Sequence, residues 1–291
     1  MTKEELKIQK REEKEKQKYI KHLHKKEKRE LKELKRHEVD LEFTVKKNVK
    51  ETLKEEHEEE MRPIKEKIRK KNEAPHLRVL EEVGNSISHG IGALCSIVAL
   101  IFMLYYSHNA LMITASIVYS FAMFFMFLNS CLYHAYGWGH GVKRLWRRFD
   151  YSSIYLQVAG TFAPLQLIEM GRVWGSVGET AGIIYFIVMW MVVVVGITFV
   201  GVFGPGRMRK LHFTLYFVMG WSGVALIPMF FMGNNFWLFF YILLGGVIYS
   251  LGMIPFAVLK GKPGAHFIWH LFVIFGALAQ YLGILLYVYM K

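Results

Sequence analysis

Seven apolar runs follow one another through the last two hundred or so residues, and each is long enough to cross a bilayer. They lie near 83–106, 110–133, 149–169, 181–203, 211–232, 236–259 and 266–290. A hydrocarbon core of about 30 Å takes roughly 20 helical residues. Within it, helices are one of the few structures that satisfy their own backbone groups. The pattern predicts an all-α integral membrane protein, a seven-transmembrane helix bundle. Turn chemistry or charge marks the breaks: SHN at 107–109, GWGHG at 137–141, GPG at 204–206, GNN at 233–235 and GKPG at 261–264.

The net charge of +13 belongs mostly to another part of the chain. Residues 1–80 carry 26 of the 37 Lys/Arg and 19 of the 24 Asp/Glu. The sequence therefore divides into a charged, helical arm over 1–80 and a membrane domain over 81–291. An N-terminus this dense in Lys and Glu does not read as a cleavable signal peptide. Glu and Lys recur three and four apart in the arm, with sparse apolar positions at Leu31, Leu34, Leu41 and Val45. Its membrane-proximal basic patch, Arg62, Lys65, Lys67, Arg69, Lys70 and Lys71, suits anionic lipid headgroups. Acidic residues interleave throughout and no stacking aromatics accompany the basic ones, so no nucleic-acid partner is expected.

Charge in the connectors sets a direction. Basic residues fall in alternate loops: Lys143, Arg144, Arg147 and Arg148; Arg207, Arg209 and Lys210; Lys260 and Lys262. The positive-inside rule places these loops and the arm in the cytoplasm and the C-terminus outside, in the cell membrane. The two cysteines, Cys95 and Cys131, both lie in apolar runs and do not suggest a disulfide framework.

Ionisable residues inside a membrane are expensive and usually functional. His134 ends the second span, Asp150 opens the third, and His266 and His270 open the seventh. Under the seven-span topology all four share one cytoplasmic-side layer. A His-x-x-x-His pair presents two imidazoles on one helix face, and zinc takes such nitrogens with oxygen as a further ligand. The competing reading has each of them satisfied separately, by hydrogen bonds or at the interface. Ser130 lies one turn from His134, where its hydroxyl either joins the site or bonds back to a helix carbonyl. Cys131 is a candidate soft ligand, although buried cysteines more often pack as small hydrophobes. Glu82, Asn85 and His89 form a polar stripe at the same end of the first span. They suit support of the ligands, with His89 also open as a ligand. His108, His140 and His212 lie in or beside loops and are expected at the surface.

Taken in order, these motifs resemble the hemolysin III family, the bacterial branch of the progestin and adipoQ receptors, in the wider superfamily of alkaline ceramidases. The signatures are Glu82-x-x-Asn85-x-x-x-His89, Ser130-x-x-x-His134, the run RRFDYSSIYLQVAGTFAP around Asp150, and His266-x-x-x-His270. The resemblance covers about 82–290. It departs at Gln280, where a His is frequent, at Phe162, where a Tyr is frequent, and in the long arm. It implies seven helices around a zinc held by His134, His266 and His270, with Asp150 reaching it through a water.

Three protein ligands leave a fourth position open, as at catalytic zinc sites. The resemblance to alkaline ceramidases then implies hydrolysis of a lipid amide or ester, in which Asp150 could serve as general base and Ser130 as donor to the oxyanion. Membrane lipids are then both surroundings and substrate. Two alternatives follow from the same resemblance: a pore-forming cytolysin, and a receptor or signalling protein with a structural zinc.

Overall fold

The computed structural model describes residues 3–34, 42–137, 139, 141–259 and 262–291. Every regular element among them is helical. The chain parts into two units, Met1–Lys71 and Asn72–Lys291.

The first unit consists of α1 (Lys3–Leu34) and most of α2 (Glu42–Asn72). Pairs three and four apart tie their exposed faces, as between Lys26 and Glu30 at 3.8 Å and Lys70 and Glu66 at 3.2 Å. Exposed pairs of this kind each contribute a few tenths of a kcal/mol. The apolar positions expected at Leu31, Leu34, Leu41 and Val45 fall outside the described side chains.

In the second unit, six helical stretches are long and apolar enough to cross a membrane: Val79–Tyr105, Ala110–Ala135, Gly141–Phe203, Arg209–Met232, Phe236–Phe256 and Ala265–Tyr289. The protein is a multi-pass membrane protein. Its pattern is inverted relative to a protein packed in water. Along α3 (Val79–Tyr105) the buried face reads Asn85, His89, Gly92, Ser96, Ala99 and Met103. The exposed face reads Ile87, Ile91, Leu94, Val98, Ile101 and Tyr105. Small and polar residues inside, with large apolar ones outside, are the arrangement that lipid favours. Asn109 starts α4 (Ala110–Ala135) by accepting the Met112 N–H at 2.9 Å.

The sequence places a break between 169 and 181, and the helical geometry is broken there, at Gly175, although hydrogen bonding runs on across it. α5 (Gly141–Pro164), a π-turn at Leu165–Glu169 and α6 (Met170–Phe203) form one 63-residue stretch. At 1.5 Å per residue that is about 95 Å, some three membrane thicknesses. One residue resolves the excess. Gly175 stands at φ 61°, ψ −143°, a conformation that suits glycine alone. The chain doubles back there, as the close neighbours show: Gly171 meets Glu179, Gly178 the Met170 carbonyl, Gly182 the Gln166 carbonyl and Gly196 the Tyr155 ring. Every pair is centred within a residue or so of Gly175.

α7 (Arg209–Trp221) tightens to a 3₁₀ turn at Ser222–Leu226 before α8 (Ile227–Met232). Pro228 lacks the N–H that a continuous helix would use there. α9 (Phe236–Val258) and α10 (Ala265–Ile284), closed by a π-turn at Leu285–Tyr289, complete the unit.

Side-chain bonds gather the helix ends into two opposite groups. At one end Arg172 bonds Glu169 at 2.7 Å and the Val288 carbonyl at 2.9 Å. Asn235 there donates to Glu169 at 3.0 Å and the Tyr287 carbonyl at 3.2 Å. At the other, Arg147 donates to the carbonyls of Asn72 and Glu73 at 2.9 and 2.8 Å. The Asn72 side chain bonds the Phe203 carbonyl at 3.0 Å and the Gly206 N–H at 2.9 Å. The second end holds the basic connectors Lys143–Arg148 and Arg207–Lys210.

Candidate metal centre

At that second end, the last turn of α4 and the first turns of α10 bring three imidazoles together. One ligand atom from each of His134, His266 and His270 lies within 4.8 Å of the other two. The ring centroids are 5.0 Å apart for His134–His266, 4.7 Å for His134–His270 and 4.9 Å for His266–His270. Nitrogens about 2.1 Å from one tetrahedral zinc are roughly 3.4 Å apart, so small ring rotations close the set on an ion. His134 and His266 are separated by some 130 residues of chain, and only the packing of α10 beside α3 and α4 unites them. Among the described residues, this is the group of His, Cys, Asp and Glu placed to hold a metal.

The donor atoms fit that use. His134 Nδ1 is engaged by Glu82 Oε2 at 2.6 Å, while its Nε2 is buried with no protein partner. His270 Nδ1 is likewise buried and unpartnered. Buried polar atoms ordinarily find partners, and a shared cation would satisfy these together.

Three residues of α3 stand beside the cluster. Glu82 bonds His134, and Asn85, fully buried, has its amide nitrogen 3.5 Å from the same Nδ1. His89 packs its ring 3.9 Å from that of His270 at 45°, and lies nearly perpendicular to the Phe127 ring at 5.1 Å. It stands outside the three-histidine group. Ser130 is buried and faces Asp150, which Arg147 also approaches. Asp150 too is outside the three-histidine group.

Other residues depart from the sequence reading. Cys131 turns to α3, where Ser86 Oγ lies 3.5 Å from its sulfur and donates to its carbonyl at 3.1 Å. His212 is fully buried rather than superficial, because the α5–α6 hairpin covers it and Tyr155 Oη bonds its Nδ1 at 2.9 Å. His108 is exposed as expected, and His140 lies outside the described residues. Two neighbours of the site escaped sequence reasoning. Glu81 accepts the His266 N–H at 3.3 Å at the start of α10, where helical N–H groups need acceptors. Lys143 reads as one more cytoplasmic charge, yet it is 1% exposed and bonds Glu82 at 2.6 Å.

Comparison with known proteins identifies the family. The family model described as "Haemolysin-III related" matches residues 77–281, which include all three histidines. "Hemolysin-3" of Bacillus cereus is 36% identical over 216 residues, 72% of this chain and 93% of that protein. "Hemolysin-3 homolog" of Bacillus subtilis is 34% identical over 215 residues, 72% of this chain and 95% of that one. "Monocyte to macrophage differentiation factor" of Homo sapiens is 28% identical over 177 residues, 59% of this chain and 69% of its own length. With a family model spanning most of the chain and two relatives above 30% identity, this protein belongs to the haemolysin-III-related family.

Proposed function

We propose that this protein is a membrane-embedded zinc-dependent hydrolase of a lipid amide or ester. The observation that carries the reading is the cluster of His134, His266 and His270, three protein ligands that leave a further position for water. His134, His266 and His270 would hold the ion, which supplies Lewis acidity and activates water at neutral pH. Asp150 Oδ accepts the proton of the attacking water, and Ser130 Oγ–H donates to the oxygen on which negative charge develops. Glu82, Asn85 and His89 orient the imidazoles. The substrate enters from the bilayer, since the cluster lies among membrane helices.

Counting the Gly175 hairpin as two crossings gives seven transmembrane helices. The basic connectors and the arm are cytoplasmic and Lys291 is external. In the arm, the basic residues of 62–71 rest against anionic headgroups.

A lipid-hydrolysis assay in liposomes tests the reading, comparing wild type, Asp150→Asn and Ser130→Ala at matched zinc occupancy. Loss of the base should lower turnover by roughly 10²–10⁴-fold, whereas equal rates in all three proteins would end the hydrolase reading. A second reading draws on the relatives named "Hemolysin-3": cytolysis by pore formation, scored by dye release from the same liposomes. A zinc with a purely structural role in a receptor would leave both assays silent.

A further inference from the structure

We propose that Lys143 is a positioning residue of the metal centre, acting through Glu82 to present His134 Nε2 to the ion. The inference rests on the metal reading above and extends it to a residue that charge patterning assigns to the cytoplasmic surface.

Lys143 opens α5 in a run of four basic residues, yet it does not face water. It is 1% exposed, and an ammonium is costly to bury unless each donor finds a partner. All three are engaged here. Nζ donates to Glu82 Oε1 at 2.6 Å and to the Tyr136 carbonyl at 3.0 Å. It also stands 4.9 Å from the centre of the Tyr133 ring, in cation–π contact. Tyr133 and Tyr136 flank His134 in the chain, so the lysine is bound to the segment that carries the ligand.

Glu82 divides its two oxygens between the partners. One accepts from Lys143 and the other lies 2.6 Å from His134 Nδ1. With both oxygens used as acceptors, His134 Nδ1 carries the hydrogen, and the lone pair is on Nε2. The Asn85 amide nitrogen at 3.5 Å from the same Nδ1 is too distant to compete with the bond at 2.6 Å. Nε2 is the His134 atom left buried and unpartnered. Carboxylate–histidine pairs of this kind fix a ligand's ring and tautomer, and losing one typically weakens metal binding 10–100-fold. In this protein the carboxylate is itself held by a buried cation.

The test is zinc affinity by chelator competition on the full-length protein in detergent, with the cobalt(II) absorption spectrum as a second readout. Neither depends on turnover or on the substrate. Lys143→Met should weaken zinc binding about 10–100-fold and change the cobalt bands. Glu82→Gln should behave similarly, and the double variant should be no weaker than the weaker single one, because Lys143 acts through Glu82. Lys143→Gln, which keeps a donor for the Tyr136 carbonyl, replaces the Met variant if that one does not fold. Wild-type affinity and spectrum in either Lys143 variant would overturn the inference while leaving the metal reading intact. So would losses that multiply in the double variant. A wild-type protein that binds no zinc would overturn both.

Discussion

The ring of Tyr155 fills the space that a side chain at Gly196 would occupy, and this contact closes the α5–α6 hairpin halfway along its length. Gly196 is therefore needed for the absence of its side chain. Gly196→Leu should separate the two helices and destabilise the protein by about 1–3 kcal/mol, the usual cost of overpacking. Thermal unfolding in detergent would show it, and Gly201→Leu, with nothing near its missing side chain, is the control.

The same tyrosine ends on His212, joining the hairpin to α7. Tyr155→Phe keeps the ring against Gly196 and removes only the hydroxyl. The buried imidazole then lacks its partner at Nδ1, which should cost about 1–3 kcal/mol. Zinc content should not change, because His212 belongs to none of the three-histidine contacts. A midpoint equal to wild type would show that this bond contributes nothing.

For the metal centre, the purified protein should contain about one zinc per chain. His134→Ala, His266→Ala and His270→Ala should each lose most of it, while Cys131→Ala should retain it, since that sulfur faces Ser86. Elemental analysis of the four variants settles the ligand set. Full zinc in the His266→Ala/His270→Ala double variant would exclude it.

Orientation can be measured with reporters. A fusion after Lys291 should score as external and one within 143–148 as cytoplasmic. A cysteine at exposed Ser176, beside the turn of the hairpin, should be labelled by an impermeant reagent from outside. Labelling only after the membrane is permeabilised would reverse the proposed topology.

Helices and the bilayer as their solvent were written in the sequence, since a run of twenty apolar residues can satisfy its backbone in lipid in few other ways. Spacing alone also placed the site's residues on faces: His266 with His270, Ser130 with His134, and Glu82 with Asn85 and His89. A periodicity of 3.6 fixes such relationships within one helix wherever that helix packs. The reversal falls inside the break that the sequence places between 169 and 181, where Arg172 and Glu179 interrupt the apolar pattern, but only the backbone distinguishes Gly175 from Gly171 and Gly178 as the residue that carries it.

Relations between helices were decided by packing. Nothing in the spacing of Lys143 distinguishes it from Arg144 or Arg148, and only the tertiary fold turns its ammonium inward to Glu82. His212 changed from a surface residue to a buried one for the same reason, since the hairpin that covers it lies elsewhere in the chain. Cys131 is one turn before His134, yet its sulfur meets Ser86 on α3 while the imidazole stands between Glu82 of α3 and His270 of α10. A helix carries its own periodicity in its sequence. Which neighbour each face meets depends on several helices at once, and only the folded bundle contains that information.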